Sequence, residues 1–527
     1  MQKPVIALVV ALILVTIGAL AFRLPALEDR PMHGDEANQA HRTGVLLETG
    51  VYEYDPAEHH GPTLYYFMLP ILRLAGVDNF GETTEFQFRL LPVLFGVALI
   101  PLLLLIGDGL GRREAVVAAV FTAISPAMVF YSRYFIQETL LVTFTFAAIV
   151  CGWRYYCSRR LGWAVAAGLS LGLMHATKET CVLAFAAMAG GLAVAWVWAQ
   201  YIQGREADIR KALPARHIIY AMIAGAVVSV VLFSSFFTHA RGPLDSILTY
   251  GSYIGRAAAD PTRDDGAHLH HHPWYFYLQI LLFTRLVPGT WWSEGLIVAL
   301  AVIGAVIPWR RHEANPRRGD LIRFLTVYTI LLTAIYSVIP YKTPWCLIGF
   351  LHGMILLAGV GTVTIVRLVR YRALQALVIL VVVALSIQLA MQTYRANFVF
   401  PADRRNPYVY AHTAPSLVRL AERIEEIAEH HPGGEDMPVF VITMDGDYWP
   451  LPWYLRRMNR VGYFTTMPDP LEAPVLVAPP DIAPVVYENL QYDYQIQHYA
   501  LRPGVLMILF IRQDLWDEFM TTRVNDG

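Results

Sequence analysis

Two adjacent carboxylates, Asp35 and Glu36, follow His33-Gly34 shortly after an apolar run that ends at Phe22. Neighbouring helical residues point about 100° apart, so one carboxylate can face a reacting group while the other caps or orients. The pair suits general-base chemistry or metal binding, and equally a plain helix start with acidic residues in its first turn. Three further clusters combine charge with tight turns: Tyr131-Ser132-Arg133 with Glu138, Lys178-Glu179, and Tyr341-Lys342-Thr343-Pro344. Each has a bland reading as well: Arg133 pairing with Glu138, Lys178 snorkelling, and Lys342 anchoring at an interface. Histidines add ligand capacity at His33, His59, His60 and the run His268-Leu269-His270-His271-His272. Imidazole and carboxylate are the usual ligands of divalent metals. The histidine run reads as a solvated loop, and His60, beside Gly61-Pro62, is the better candidate.

Such groups need elements to position them, and composition says those elements lie in lipid. The 527-residue chain is 56% hydrophobic and 16% charged, with a mean hydropathy of +0.43. That is more apolar surface than a water-soluble core uses. A formal net charge of −1 gives no footprint for nucleic acid. Four cysteines, in or beside apolar runs, imply neither a disulfide framework nor a CxxC metal site.

A spanning helix needs about 20 mostly apolar residues. Eleven windows meet that test: Pro4 to Phe22, Leu90 to Gly107, Ala115 to Phe130, Thr139 to Tyr155, Leu161 to Ala176, Cys181 to Tyr201, His217 to Phe237, Trp291 to Trp309, Phe324 to Ile339, Trp345 to Val366 and Ala373 to Met391. The first is read as a retained span because it exceeds the usual length of a signal. Alternate short connections are basic: Arg112 and Arg113; Arg154, Arg159 and Arg160; Arg205, Arg210, Lys211 and Arg216; Arg310 through Arg323; Arg367, Arg370 and Arg372. By the positive-inside rule these face the cytoplasm together with the N-terminus. All four charged clusters then fall on the opposite face, with the long loops 23–89 and 238–289 and everything after Met391. Charges at the hydrocarbon edge are costly, and their convergence on one face points to a shared polar cavity.

Within the first outer loop, Glu36 to Thr49 and Pro62 to Ala75 read as interfacial helices. After residue 395 the composition turns soluble. A helical run at Ser416 to His430 and strands at Val439 to Thr443, Val475 to Ala478 and Val505 to Ile511 predict a small α/β domain. The expected architecture is therefore a polytopic α-helical membrane protein, multi-pass in the cell membrane. It has about eleven spans in 1–395 and an extracytoplasmic α/β domain in 396–527.

These motifs resemble those of the GT-C glycosyltransferases, the membrane-embedded class that includes protein mannosyltransferases and aminoarabinose transferases. The resemblance covers roughly residues 1–395. It rests on Gly34-Asp35-Glu36, His60-Gly61-Pro62-Thr63-Leu64-Tyr65-Tyr66, Phe88-Arg89-Leu90-Leu91-Pro92, Ser132-Arg133 with Glu138, Thr177-Lys178, Pro273-Trp274-Tyr275 and Tyr341-Lys342-Thr343-Pro344. The chain also resembles the archaeal flippase-activity-associated family, whose tail motif is similar to Gly446-Asp447-Tyr448-Trp449-Pro450-Leu451-Pro452-Trp453-Tyr454. Glu138 stands where many members of the class carry Asp.

The resemblance implies transfer of a sugar from a polyprenyl-phosphate donor to a glycan, lipid or protein acceptor on the extracytoplasmic face. In that reading Asp35 is the general base, Glu36 orients it or binds metal, and Glu138 is the next catalytic carboxylate. Arg133, Lys178 and Lys342 hold the lipid phosphate. Tyr65 and Trp274 flank the prenyl chain, or belong to the ordinary aromatic belt. A divalent ion (Mg, Mn or Zn) would use Asp35, Glu36, Glu138 and His60, with no organic cofactor. Two other classes stay open: a transporter or flippase component, against which stand the absence of a visible repeat and charges away from the midplane, and a non-catalytic scaffold that presents the tail.

Overall fold

The computed structural model describes all residues except 1–2, 57–59, 206–213, 258–269, 287–288, 307–308, 310–314 and 527. Its chain forms two compact units. The first comprises 1–27, 51–68 and 88–410; the second comprises 28–50, 69–87 and 411–527. Two pieces of the first long loop therefore fold with the tail.

The first unit is helical. Its leading elements are α1 (Lys3–Arg23), the start of α3 (Thr63–Leu74), most of α4 (Glu85–Leu110), α5 (Arg112–Ile124), α6 (Pro126–Tyr131), α7 (Glu138–Ser158), α8 (Leu161–His175) and α9 (Cys181–Val197). Helices Ala215–Phe233, Gly295–Val306, Pro316–Val338, Leu347–Leu368 and Arg372–Tyr394 follow. Among the described residues, eight helices are long and apolar enough to cross a membrane. The remaining three of the eleven expected windows are shorter. Leu161–His175 and Gly295–Val306 fall below spanning length. The window Ala115 to Phe130 divides at Ser125, because Pro126 has no N–H to continue the ladder and Ser125 Oγ instead accepts from Met128 N–H at 3.3 Å. Among the described residues, length alone thus identifies eight of the eleven expected spans.

Small residues let these helices approach closely, as packing in lipid requires. Gly168 and Gly172, four apart on α8, lie against the backbone of Ala221 and Gly225, and a Cβ on either would overlap a carbonyl there. The span Pro344–Leu368 is central: 83% of its most apolar stretch is buried, against 6% for Arg372–Val399.

The second unit carries α2 (Gly34–Thr49) and a five-stranded sheet: β1 (Val439–Ile442), β2 (Val461–Phe464), β3 (Val475–Ala478), β4 (Tyr494–Arg502) and β5 (Val505–Arg512). Strand order is β2-β1-β3-β5-β4. β1 runs parallel to β2 and β3, with Val439 opposite both Val461 and Val475, whereas β5 pairs antiparallel with β3 and β4. The helix Pro415–Ala428 repeats apolar residues at Leu417, Leu420, Ala421, Ile424 and Ile427, one stripe of a 3.6-residue period. That stripe packs on Val439, Val441, Val475, Val477, Leu509 and Ile511. The opposite sheet face, with Leu476, Ala478, Ile508 and Phe510, is covered by Ala483 and Val486.

Candidate functional site

The two predicted carboxylates divide their labour in the second unit. His33 is the N-cap of α2, and its Nδ1 accepts from Asp35 N–H at 3.1 Å. Glu36 reaches back to His33 N–H at 3.1 Å, closing a capping box. Both Glu36 oxygens lie 3.0 Å from Arg30 Nη2, and the side chain is fully buried. Asp35 is different: its side chain is 52% exposed, with Oδ2 3.9 Å from His33 Nδ1. Because Nδ1 already accepts the Asp35 N–H it carries no proton, so that approach is not an ion pair through Nδ1. Glu36 is thus structural in its bonding, and Asp35 presents a half-exposed carboxylate to an incoming group.

In the first unit the turn between α8 and α9 gathers charge. Lys178 Nζ bonds Glu138 Oε1, and both side chains are buried. Arg133 is therefore not the described partner of Glu138. Its guanidinium donates to the carbonyls of Phe22 and Arg23 at 3.3 Å and of Ala26 at 2.8 Å, and sits 4.8 Å over the Phe398 ring. A cation on the last carbonyls of α1 complements that helix end. Glu179, beside Lys178, accepts from Tyr54 Oη at 3.0 Å and meets His60 Nδ1 at 2.8 Å. Burial alone would raise its pKa, but the His60 charge and hydrogen bond, the backbone and Lys178 outweigh burial and hold it at about 2. The chain passes this turn closely: Thr63 N–H donates to Ala176 O at 3.0 Å, Thr63 Oγ1 donates to Thr177 Oγ1 at 2.8 Å, and Gly61 abuts the Ala176 carbonyl so tightly that a Cβ would overlap it.

Lys342 is 1% exposed. Its ammonium donates to the carbonyls of His272, at 3.1 Å, and Ile339. Burial lowers its pKa. The backbone here is fixed by Lys342 N–H to His270 O at 2.8 Å and His272 N–H to Pro340 O at 3.1 Å. Residues just after Lys342 wall a narrow cavity of about 30 Å³ that runs between α7, α9, Pro316–Val338 and Leu347–Leu368. Glu138 and Thr180 are polar residues in its lining, and Leu141, Tyr336, Trp345 and Cys346 are among the others.

The aromatic candidates part company. Tyr65 is fully buried and packs 4.6 Å from the Tyr52 ring, so it is a core residue. Trp274 is 65% exposed. Among the described residues no group of three or more His, Cys, Asp or Glu is placed to hold a metal ion. Three of the four expected ligands are otherwise engaged: Glu36 by Arg30, Glu138 by Lys178 and His60 by Glu179. His59 and His268 lie outside the described residues.

Sequence reasoning passed over three groups that the structure shows bonded. Arg30 was legible only as one cation in a charged stretch. Tyr54 gave no signal, standing 125 residues from Glu179. Glu294 had a signal, a carboxylate inside an apolar window; it is fully buried and accepts from Ser125 Oγ at 2.6 Å, Ala127 N–H at 3.0 Å and Tyr408 Oη at 2.9 Å.

Comparison with known proteins bears on the fold. Residues 65–242 match the family model for dolichyl-phosphate-mannose-protein mannosyltransferase. ArnT from Cupriavidus metallidurans, solved with undecaprenyl phosphate bound, superposes with a TM-score of 0.61 at 15% identity, over 94% of this chain and 97% of that one. The archaeal oligosaccharyltransferase AglB from Archaeoglobus fulgidus, in complex with an inhibitory peptide and a dolichol-phosphate, gives 0.56 at 13% identity, over 97% of this chain and 77% of that one. The same oligosaccharyltransferase in complex with Zn and sulfate gives 0.58 at 12% identity, over 96% and 75%. No match is found among curated proteins. The chain is a multi-pass membrane protein with the fold of the GT-C glycosyltransferases.

Proposed function

We propose that this chain transfers a sugar from a polyprenyl-phosphate donor to a glycan, lipid or protein acceptor. The observation that carries the reading is the buried Lys178–Glu138 pair, whose Glu138 lines a cavity walled mostly by apolar groups; Lys342, itself buried, precedes the lining residues Trp345 and Cys346 in the chain. A buried ammonium bonded to neutral carbonyls gains when an anion arrives. Lys342 and Lys178 therefore receive the donor phosphate and stabilise the charge that grows on it as the bond from the anomeric carbon to the phosphate oxygen breaks. The phosphate keeps the electron pair of that bond, and the acceptor oxygen or nitrogen forms the new bond to the anomeric carbon. Asp35 takes the acceptor's proton, a role its exposed carboxylate supports and the Arg30-bound Glu36 does not. Arg133, on the carbonyls that end α1, acts by shaping the turn before Glu138.

If a divalent ion (Mg, Mn or Zn) takes part, Asp35 is, among the described residues, the predicted ligand still open to it. The basic connections support a cytoplasmic N-terminus and an extracytoplasmic 396–527 region, with 1–395 binding the donor. The test is transfer in proteoliposomes. Wild-type protein supplied with radiolabelled polyprenyl-phosphate sugars and membrane extract as acceptor moves label with at least one donor; no transfer from any polyprenyl-phosphate sugar would overturn the reading.

A further inference from the structure

Among the described residues Asp35 makes no buried side-chain bond of its own, so its place is set by the backbone that leads to it, and that backbone is held by the tail. Met32 N–H donates to Tyr454 Oη at 2.7 Å, and Thr413 Oγ1 donates to Met32 O at 2.5 Å. Both main-chain groups of the residue before the N-cap are thus gripped by side chains from beyond residue 410. The His412 ring meets the His33 ring edge-on at 5.3 Å. Trp449 abuts Gly34, where a Cβ would stand 3.6 Å from the Trp449 Cβ. The same tail segment reaches the far end of α2. Trp453 Nε1 donates to Glu85 Oε1 at 2.8 Å and its ring packs on Phe80 at 5.7 Å, while Phe80 N–H donates to Glu48 Oε1 at 2.8 Å. Arg456 Nη2 completes the hold on Thr83 O at 2.8 Å.

We infer that the tail is a positioning frame for the Asp35 carboxylate, and that Tyr454 and Thr413 are positioning residues for the transfer reaction. This rests on the proposed role of Asp35 as base. The motif Gly446 to Tyr454 thereby gains a function: it presents Trp449 and Tyr454 to the α2 N-terminus and Trp453 to the segment beside the α2 C-terminus. A half-exposed carboxylate with no buried bond depends on such second-hand support, because small displacements of a reacting group cost rate steeply.

Tyr454→Phe keeps the ring and removes the acceptor for Met32 N–H; Thr413→Val removes the donor to Met32 O. The frame predicts that amide hydrogen exchange across Met32 to Ala37 speeds up about tenfold in each variant, the effect of losing one hydrogen bond, while the β1 and β3 amides are unchanged. It also predicts a kcat about tenfold lower with donor KM within about twofold, and recovery in Thr413→Ser. In an Asp35→Asn background Tyr454→Phe causes no further loss, since a residue that acts through Asp35 has nothing left to position. Unchanged exchange at Met32 to Ala37, or a loss in the Asp35→Asn background equal to that in wild type, overturns the inference. If wild type transfers no sugar, the proposed function fails, and the exchange measurement still decides the frame.

Discussion

Replacing Glu179 by glutamine is the perturbation whose size the structure sets most directly. Glu179 is 5% exposed and held at about 2 by His60, its backbone and Lys178, against an ordinary 4.5. At 1.36 kcal/mol per pH unit, that lowering makes the ionised form worth roughly 3 kcal/mol to the fold. The sign follows from the direction. A carboxylate depressed on folding stabilises fully above its unfolded pKa, and the contribution is lost as pH falls from about 4.5 towards about 2. The assay is unfolding of the protein in mild detergent at pH 5.5 and at pH 3, for wild type and Glu179→Gln. Wild type loses stability over that interval faster than the variant, and the gap between the two narrows by about 2 kcal/mol from pH 5.5 to pH 3. Parallel curves, or equal stability at pH 5.5, would refute the claim that the His60–Glu179–Tyr54 group braces the turn that carries Lys178.

Three other outcomes follow from the same geometry. Lys178→Ala leaves Glu138 buried without its described partner, so it lowers stability by about 3 kcal/mol and raises donor KM, whereas the double replacement Lys178→Met with Glu138→Leu recovers the stability but not the transfer; detergent unfolding and donor titration separate the two. Gly61→Ala places a methyl group against the Ala176 carbonyl and costs about 1–3 kcal/mol, read as lowered unfolding temperature with the pH dependence of wild type. Arg30→Met leaves the buried Glu36 carboxylate without its described cation, which weakens the capping box Glu36 closes, and exchange at the α2 N-terminal amides rises by more than it does in Tyr454→Phe.

Much of the architecture could be read from the chain. Apolar length gives the long spans, and alternation or short apolar runs give β1, β3 and β5. The α2 start was visible as His33-Gly34-Asp35-Glu36, although the residue that accepts as N-cap is His33, an uncommon choice beside Asp. Where the reading fell short, the cause is tertiary. Window averages run through Ser125-Pro126, where a missing N–H divides the helix. β4 was passed over because its Tyr494-Gln495-Ile496-Gln497 alternation has half-buried residues and becomes a strand only through pairing with β5. In the candidate site the residue types were legible and their partners were not. Glu138 lies 40 residues from Lys178, His60 lies 119 from Glu179, and Tyr454 lies 422 from Met32. Pairings at that separation leave no local pattern, so Arg133–Glu138, close in sequence, was the natural but incorrect alternative to the Lys178–Glu138 pair.

The most direct test of the central claim is transfer of radiolabelled sugar from dolichyl- or undecaprenyl-phosphate donors in membranes carrying wild type, Asp35→Asn or Lys178→Ala at matched expression. The account predicts label transfer in wild type, loss of turnover at unchanged donor KM in Asp35→Asn, and a raised donor KM in Lys178→Ala. Full wild-type transfer by both variants would contradict it.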